Sequence, residues 1–115
     1  MYVQMHAHSR ILAMKANGFD WDRGNLFKNE AKHGLSRETI ETFFRQPLWV
    51  GPDPKHSSRE ERLIAQGVLP DGRHVIAAFT IRETGGMRLI RPISARRMNG
   101  REIERYEEVL ATNDQ

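Results

Sequence analysis

Two turn signals divide residues 61–95 into three strand-like runs, and this sharply limits the topologies open to the chain. Pro70-Asp71-Gly72 has the residues of a chain-reversing turn, and the stretch from Glu83 to Gly86 ends in a second one. The runs are Glu61 to Val68, Arg73 to Ile81, with Val75, Ala77 and Phe79 alternating, and Met87 to Ala95. Strands joined by such short turns pair antiparallel. The prediction is a three-stranded meander. Pro92 lacks the N–H a ladder needs, so it implies an edge position or a bulge in the third strand.

Helix signals flank the meander. Phe19-Asp20-Trp21 reads as a short first strand. Asp22 then caps a helix from Arg23 to His33, with Leu26, Phe27 and Ala31 on its apolar side and Gly34 after its end. Ser36 caps a second helix, with Thr39 at its third position, a stripe of Ile40, Phe43 and Phe44, and a stop at Pro47. Leu48 to Arg59 reads as a loop. Asn99 and Glu102 are spaced as a capping box for a last helix, whose face is Ile103, Tyr106, Val109 and Leu110. Residues 1–17 show no period and are expected to be a disordered or upstream extension, with Met14 an alternative start. Residues 18–111 form one domain and 112–115 a polar tail. The expected fold is α+β: an antiparallel sheet of a short first strand plus the meander, two N-terminal helices and one C-terminal helix, packed on one face.

The composition narrows the chemistry. The absence of Cys excludes disulfides, a thiolate nucleophile and the usual structural zinc sites. The five His are dispersed without a ligand spacing, so neither a metal nor a cofactor is expected. The longest apolar runs, such as Val75 to Phe79, are too short to span a membrane, and no signal peptide is visible; a soluble, cytoplasmic protein is expected. The net charge is +3, and 14 of the 18 cations are Arg, whose planar fork grips phosphate at two points. Seven Arg and three Glu lie between Arg82 and Arg105, a footprint for nucleic acid or an acidic partner, or else a solvated face. Arg62 sits early in the first meander strand, Arg82 at the end of the second and Arg96 at the end of the third. The first strand starts where the second finishes, so Arg62 and Arg82 can approach. Guanidinium groups gathered on a sheet can hold an RNA phosphate while its 2′-hydroxyl attacks, with Glu61, His33 or Lys32 as base. Taken singly, each Arg reads better as a surface ion pair with a neighbouring Glu. Trp21 and Phe79 read as core, whereas Trp49, flanked by loop residues, is the one to test for a partner contact.

Seven pieces in order resemble the BrnT family of bacterial type II toxin–antitoxin toxins: Phe19-Asp20-Trp21-Asp22; Asn29-x-x-Lys32-His33-Gly34-Leu35-Ser36; Asp53-Pro54-Lys55-His56-Ser57; Glu61-Arg62-Leu63-Ile64-Ala65-x-Gly67; Asp71-Gly72-Arg73; Ile93-Ser94-Ala95-Arg96-Arg97; and Glu102 to Glu107 with Tyr106. The chain departs from the family at Arg23-Gly24-Asn25 and at Arg37, where relatives carry Pro, Ala and an aromatic residue. The resemblance implies a RelE-like fold and a metal-independent endoribonuclease that inhibits translation and arrests growth. It also implies a BrnA-type antitoxin with a ribbon-helix-helix part, a hetero-oligomer with it, and operator DNA bound only through that complex. Carried onto this chain, Arg62 and Arg96 would bind phosphate and the transition state. Lys32, His33 and Glu61 would serve acid–base or RNA-positioning roles, and Arg82, Arg97 and Arg88 would bind RNA. The alternative is a non-catalytic basic module, a degenerate toxin that holds RNA or a partner without cutting.

Overall fold

In the computed structural model, residues 10–13, 16–21, 34–53, 55 and 61–113 are described. Among the described residues six strands and two helices follow in order: β1 Arg10–Ala13, β2 Gly18–Phe19, α1 Arg37–Phe44, β3 Pro47–Pro52, β4 Leu63–Val68, β5 His74–Thr84, β6 Met87–Arg97 and α2 Gly100–Asn113. The strands form one sheet in the order β1-β3-β4-β5-β6-β2. The architecture is α+β. The helix expected from Arg23 to His33 lies outside the described residues.

Local signals explain the elements that were expected. The Thr39 N–H donates to Ser36 Oγ at 3.2 Å, so Ser36 caps α1, and Ile40, Phe43 and Phe44 are its buried face. At α2 the Asn99 N–H donates to Glu102 Oε1 and the Glu102 N–H to Asn99 Oδ1, each at 2.9 Å. Gly85 and Gly86, at φ +57 and +78, join Thr84 to its partner Met87. Two consecutive positive φ values define the turn whose twist matches that of a hairpin. Pro92 sits at a bulge: Phe79 faces Pro92 while Ala78 faces Ser94, leaving Ile93 as the extra residue.

Four expectations need correction. The sheet is mixed, because β2 pairs parallel to β6 through Gly18–Leu89 and Phe19–Ile90. No short turn joins these strands, so the hairpin rule does not govern their direction. Second, the Leu48 to Arg59 stretch contains most of β3, which pairs with β4 from Trp49–Gln66 to Pro52–Leu63. Its two prolines lie at the strand ends, where Pro is tolerated. Third, β1 pairs with β3 from Arg10–Val50 to Ala13–Pro47, so the first 17 residues carry an edge strand of the sheet.

Fourth, the helices cover both faces. Every residue from Val75 to Thr80 is buried. A strand buried at consecutive positions needs cover on each side. Val75, Ala77 and Phe79 pack with Phe43, Phe44 and Leu48 on the α1 side. Ile76 and Ala78 pack with Trp49, Ile64, Met98 and Tyr106 on the α2 side. Trp49 is therefore core, only 7% exposed, and not the partner contact the sequence suggested.

Candidate active site

Register builds a polar row across the sheet. The Asp53 N–H donates to the Arg62 carbonyl at 2.8 Å, which continues the β3–β4 ladder by one residue. Leu63 faces Phe79, so Arg62 comes beside Thr80. Thr80 faces Arg91, and the Asp20 N–H donates to the Ile90 carbonyl at 2.9 Å, which places Asp20 next to Arg91. Alternation puts the five side chains of Asp53, Arg62, Thr80, Arg91 and Asp20 on the α2 side of the sheet. Arg82, two residues beyond Thr80 on β5, joins them on that face.

Ion pairs run along the row. Arg62 Nε lies 3.5 Å from Asp53 Oδ2. One oxygen of Asp20, Oδ2, meets Arg82 Nε at 3.5 Å and Arg91 Nη1 at 3.9 Å. Charge-assisted hydrogen bonds are shorter, about 2.7–2.9 Å. The two acids differ in access: the Asp53 side chain is 8% exposed and that of Asp20 is 35%. Thr80 is buried between Arg62 and Arg91, and its Oγ1 has no hydrogen-bond partner among the described residues.

Arg96 does not belong to this row. It faces Ile76, four residues along β5 from Thr80, which is about 13 Å at the rise of a strand. Its Nη1 and Nη2 each donate to a Glu102 oxygen at 2.8 Å. The Glu102 hydrogen bonds push the Arg96 pKa up despite partial burial. Burial alone would raise the Glu102 pKa, but the Arg96 fork and the Asn99 N–H hold it below its ordinary value. Arg96 thus ties β6 to the cap of α2.

The remaining candidates are scattered. Arg97 is exposed at the same end of β6 as Arg96 and, by alternation, on the opposite face. Arg88 lies near the β5–β6 turn, with Nη2 3.3 Å from Glu83. Glu61 is exposed, one residue before Arg62, and consecutive side chains of an extended chain point to opposite faces. Lys32 and His33 lie outside the described residues. Sequence reasoning missed Arg91, Thr80 and Asp20 as site residues. Counting outward from the Gly85-Gly86 turn pairs Thr80 with Arg91, so the signal for those two was present.

Residues 21–102, more than two thirds of the chain, match the family model described as the ribonuclease toxin, BrnT, of type II toxin–antitoxin systems. The chain belongs to the BrnT family. Among curated proteins none matches it as a relative. The span shared with the BrnT model holds Asp53, Arg62, Thr80, Arg82 and Arg91, and Asp20 immediately precedes it. No helix among the described residues is long and apolar enough to cross a membrane.

Proposed function

We propose that this chain is the toxin of a type II pair, an endoribonuclease that cuts cytoplasmic RNA, inhibits translation and so arrests growth. The observation that carries the reading is the set Arg62, Arg82 and Arg91 on one face of the sheet, in two neighbouring rows. An RNA phosphate is held by these guanidinium forks. As the neighbouring 2′-oxygen attacks, negative charge grows on the phosphoryl oxygens, and fixed cations lower that barrier. Hydroxyl and phosphate both come from the RNA, so the protein supplies positioning and charge without a nucleophile of its own, and no metal is invoked. Silencing falls to a BrnA-type ribbon-helix-helix antitoxin that forms a hetero-oligomer with this chain, and operator DNA is contacted through the antitoxin.

The test is direct. Expressed without its antitoxin, the chain should stop bacterial growth and fragment RNA. Purified protein should cut labelled RNA, and Arg62→Ala should lose cleavage by about tenfold to a thousandfold, the range for one charge-stabilising donor, while its circular dichroism is kept. Intact RNA at high protein concentration rejects the reading. The carboxylates beside the three arginines favour one second reading, a non-catalytic RNA- or partner-binding module. RNA binding without product selects it.

A further inference from the structure

Resting on the ribonuclease reading, we propose that Asp20 is the general base of the reaction, the carboxylate that takes the proton from the attacking 2′-hydroxyl. Of the bases suggested by sequence, Lys32 and His33 lie outside the described residues, and Glu61 is exposed, two residues before β4 begins. Two carboxylates do lie in the arginine row. Asp53 is the buried one, its side chain 8% exposed with Oδ2 3.5 Å from Arg62 Nε, and it positions Arg62. Asp20 is the accessible one, at the end of the row beside the sheet edge, with one oxygen between Arg82 and Arg91. A phosphate gripped by those two guanidiniums is therefore next to a carboxylate oxygen. A 2′-hydroxyl is attached one carbon from the 3′-oxygen of that phosphate, so the same grip brings it within reach of Asp20.

The groups around Asp20 fit this role. Arg82 from β5 and Arg91 from β6 face it directly. The charged residues of α1, Arg37, Glu41 and Arg45, meet Trp21 and Phe19, whose rings lie on the opposite face of β2. Asp20 Oδ2 lies 3.5 Å from Arg82 Nε and 3.9 Å from Arg91 Nη1, so a phosphate held by those arginines meets it at close range. Asp20 takes the 2′-proton and the 2′-oxygen forms its bond to phosphorus. The bond from phosphorus to the 5′-oxygen breaks, and that oxygen leaves with a proton from water. The products are a 2′,3′-cyclic phosphate and a 5′-hydroxyl, and Asp20 returns its proton to solvent.

The experiment compares the full chain with Asp20→Asn and Asp20→Glu in single-turnover cleavage across pH. Each is also titrated with an RNA of the same sequence bearing a 2′-deoxy substitution at the cleaved position, which binds and cannot react. Asp20→Asn should cut about 10²–10⁴-fold more slowly, the usual worth of a general base. Its rate should lack the acidic limb expected of the wild type, while its affinity for the deoxy analogue stays within about threefold of the wild type or improves. Asp20→Glu, which keeps a carboxylate, should recover part of the rate, and this excludes misfolding as the cause. Wild-type cleavage with an equally active Asp20→Asn overturns the assignment alone. So does a loss of cleavage matched by an equal loss of analogue binding, which makes Asp20 a positioning residue for Arg82 and Arg91. A wild type that leaves RNA whole rejects the ribonuclease reading, and the assignment falls with it.

Discussion

Arg62 and Arg96 show how two residues of one type, on the same face of one sheet, reach opposite roles through the geometry of their acids. Arg96 has two 2.8 Å bonds to Glu102, which also closes the cap of α2. Arg62 has a 3.5 Å contact with Asp53 at the other end of the face. The capping box was legible, because Asn99 and Glu102 are three residues apart. That Arg96 completes the box was not, since nothing in local spacing says that the end of β6 folds back over the first turn of α2. Removing one partner of a mostly buried, hydrogen-bonded pair leaves the other unsatisfied. Glu102→Gln should therefore lower stability at pH 7 by about 1–3 kcal/mol. The folded protein holds the Glu102 pKa below the ordinary value it has when unfolded. Its contribution is thus full above that pH and is lost as pH falls through the lowered folded value. Urea unfolding of both proteins should give a gap that is widest near neutrality and shrinks in acid. A gap independent of pH would mean that the lost charge is not the cause.

Elements were legible where their pattern is local and hidden where it depends on neighbours. The meander strands show themselves by turns, α1 and α2 by caps and stripes. β3 hides because Pro47, Gly51 and Pro52 punctuate a strand whose apolar part is only Leu48, Trp49 and Val50. Its existence depends on β1 and β4 lying on either side. The packing of α1 over β4 depends on a residue whose importance lies in having no side chain. A Cβ at Gly67 would come within 2.6 Å of Leu48 Cδ2 and 3.3 Å of Phe43 Cε1. Leu48 and Phe43 are both fully buried, so neither can swing into solvent. Gly67→Ala must push α1 and β3 off β4, and overpacking of this kind costs about 1–3 kcal/mol. Chemical denaturation of the variant measures it, and unchanged stability would mean that the core around Phe43 yields more than close packing allows.

On the scale of the whole molecule, the candidate site is a line drawn across the strands, while the sequence runs along them. Asp20, Asp53, Arg62, Thr80 and Arg91 come from five separate segments, and only register brings them side by side. Arginine enrichment was visible in the composition, but which arginines gather was not: Arg91 replaces Arg96 once the strands are paired. Overall charge does not separate these residues either, because at +3 every cation adds to the same background attraction for RNA. Salt dependence does. Each phosphate neutralised on a single strand contributes about −0.7 to the slope of log K against log salt. Contacts from Arg62, Arg82 and Arg91 then predict a slope near −2 for an uncleavable RNA analogue, shallower by roughly 0.7 in Arg62→Ala. Arg96→Ala should leave the slope as it is, since its charge is already spent on Glu102. Fluorescence anisotropy at several salt concentrations reads all three proteins. Equal flattening by Arg62→Ala and Arg96→Ala would mean that RNA runs the length of the α2 face, past the capping box, and that the binding surface is larger than the row at the sheet's other end.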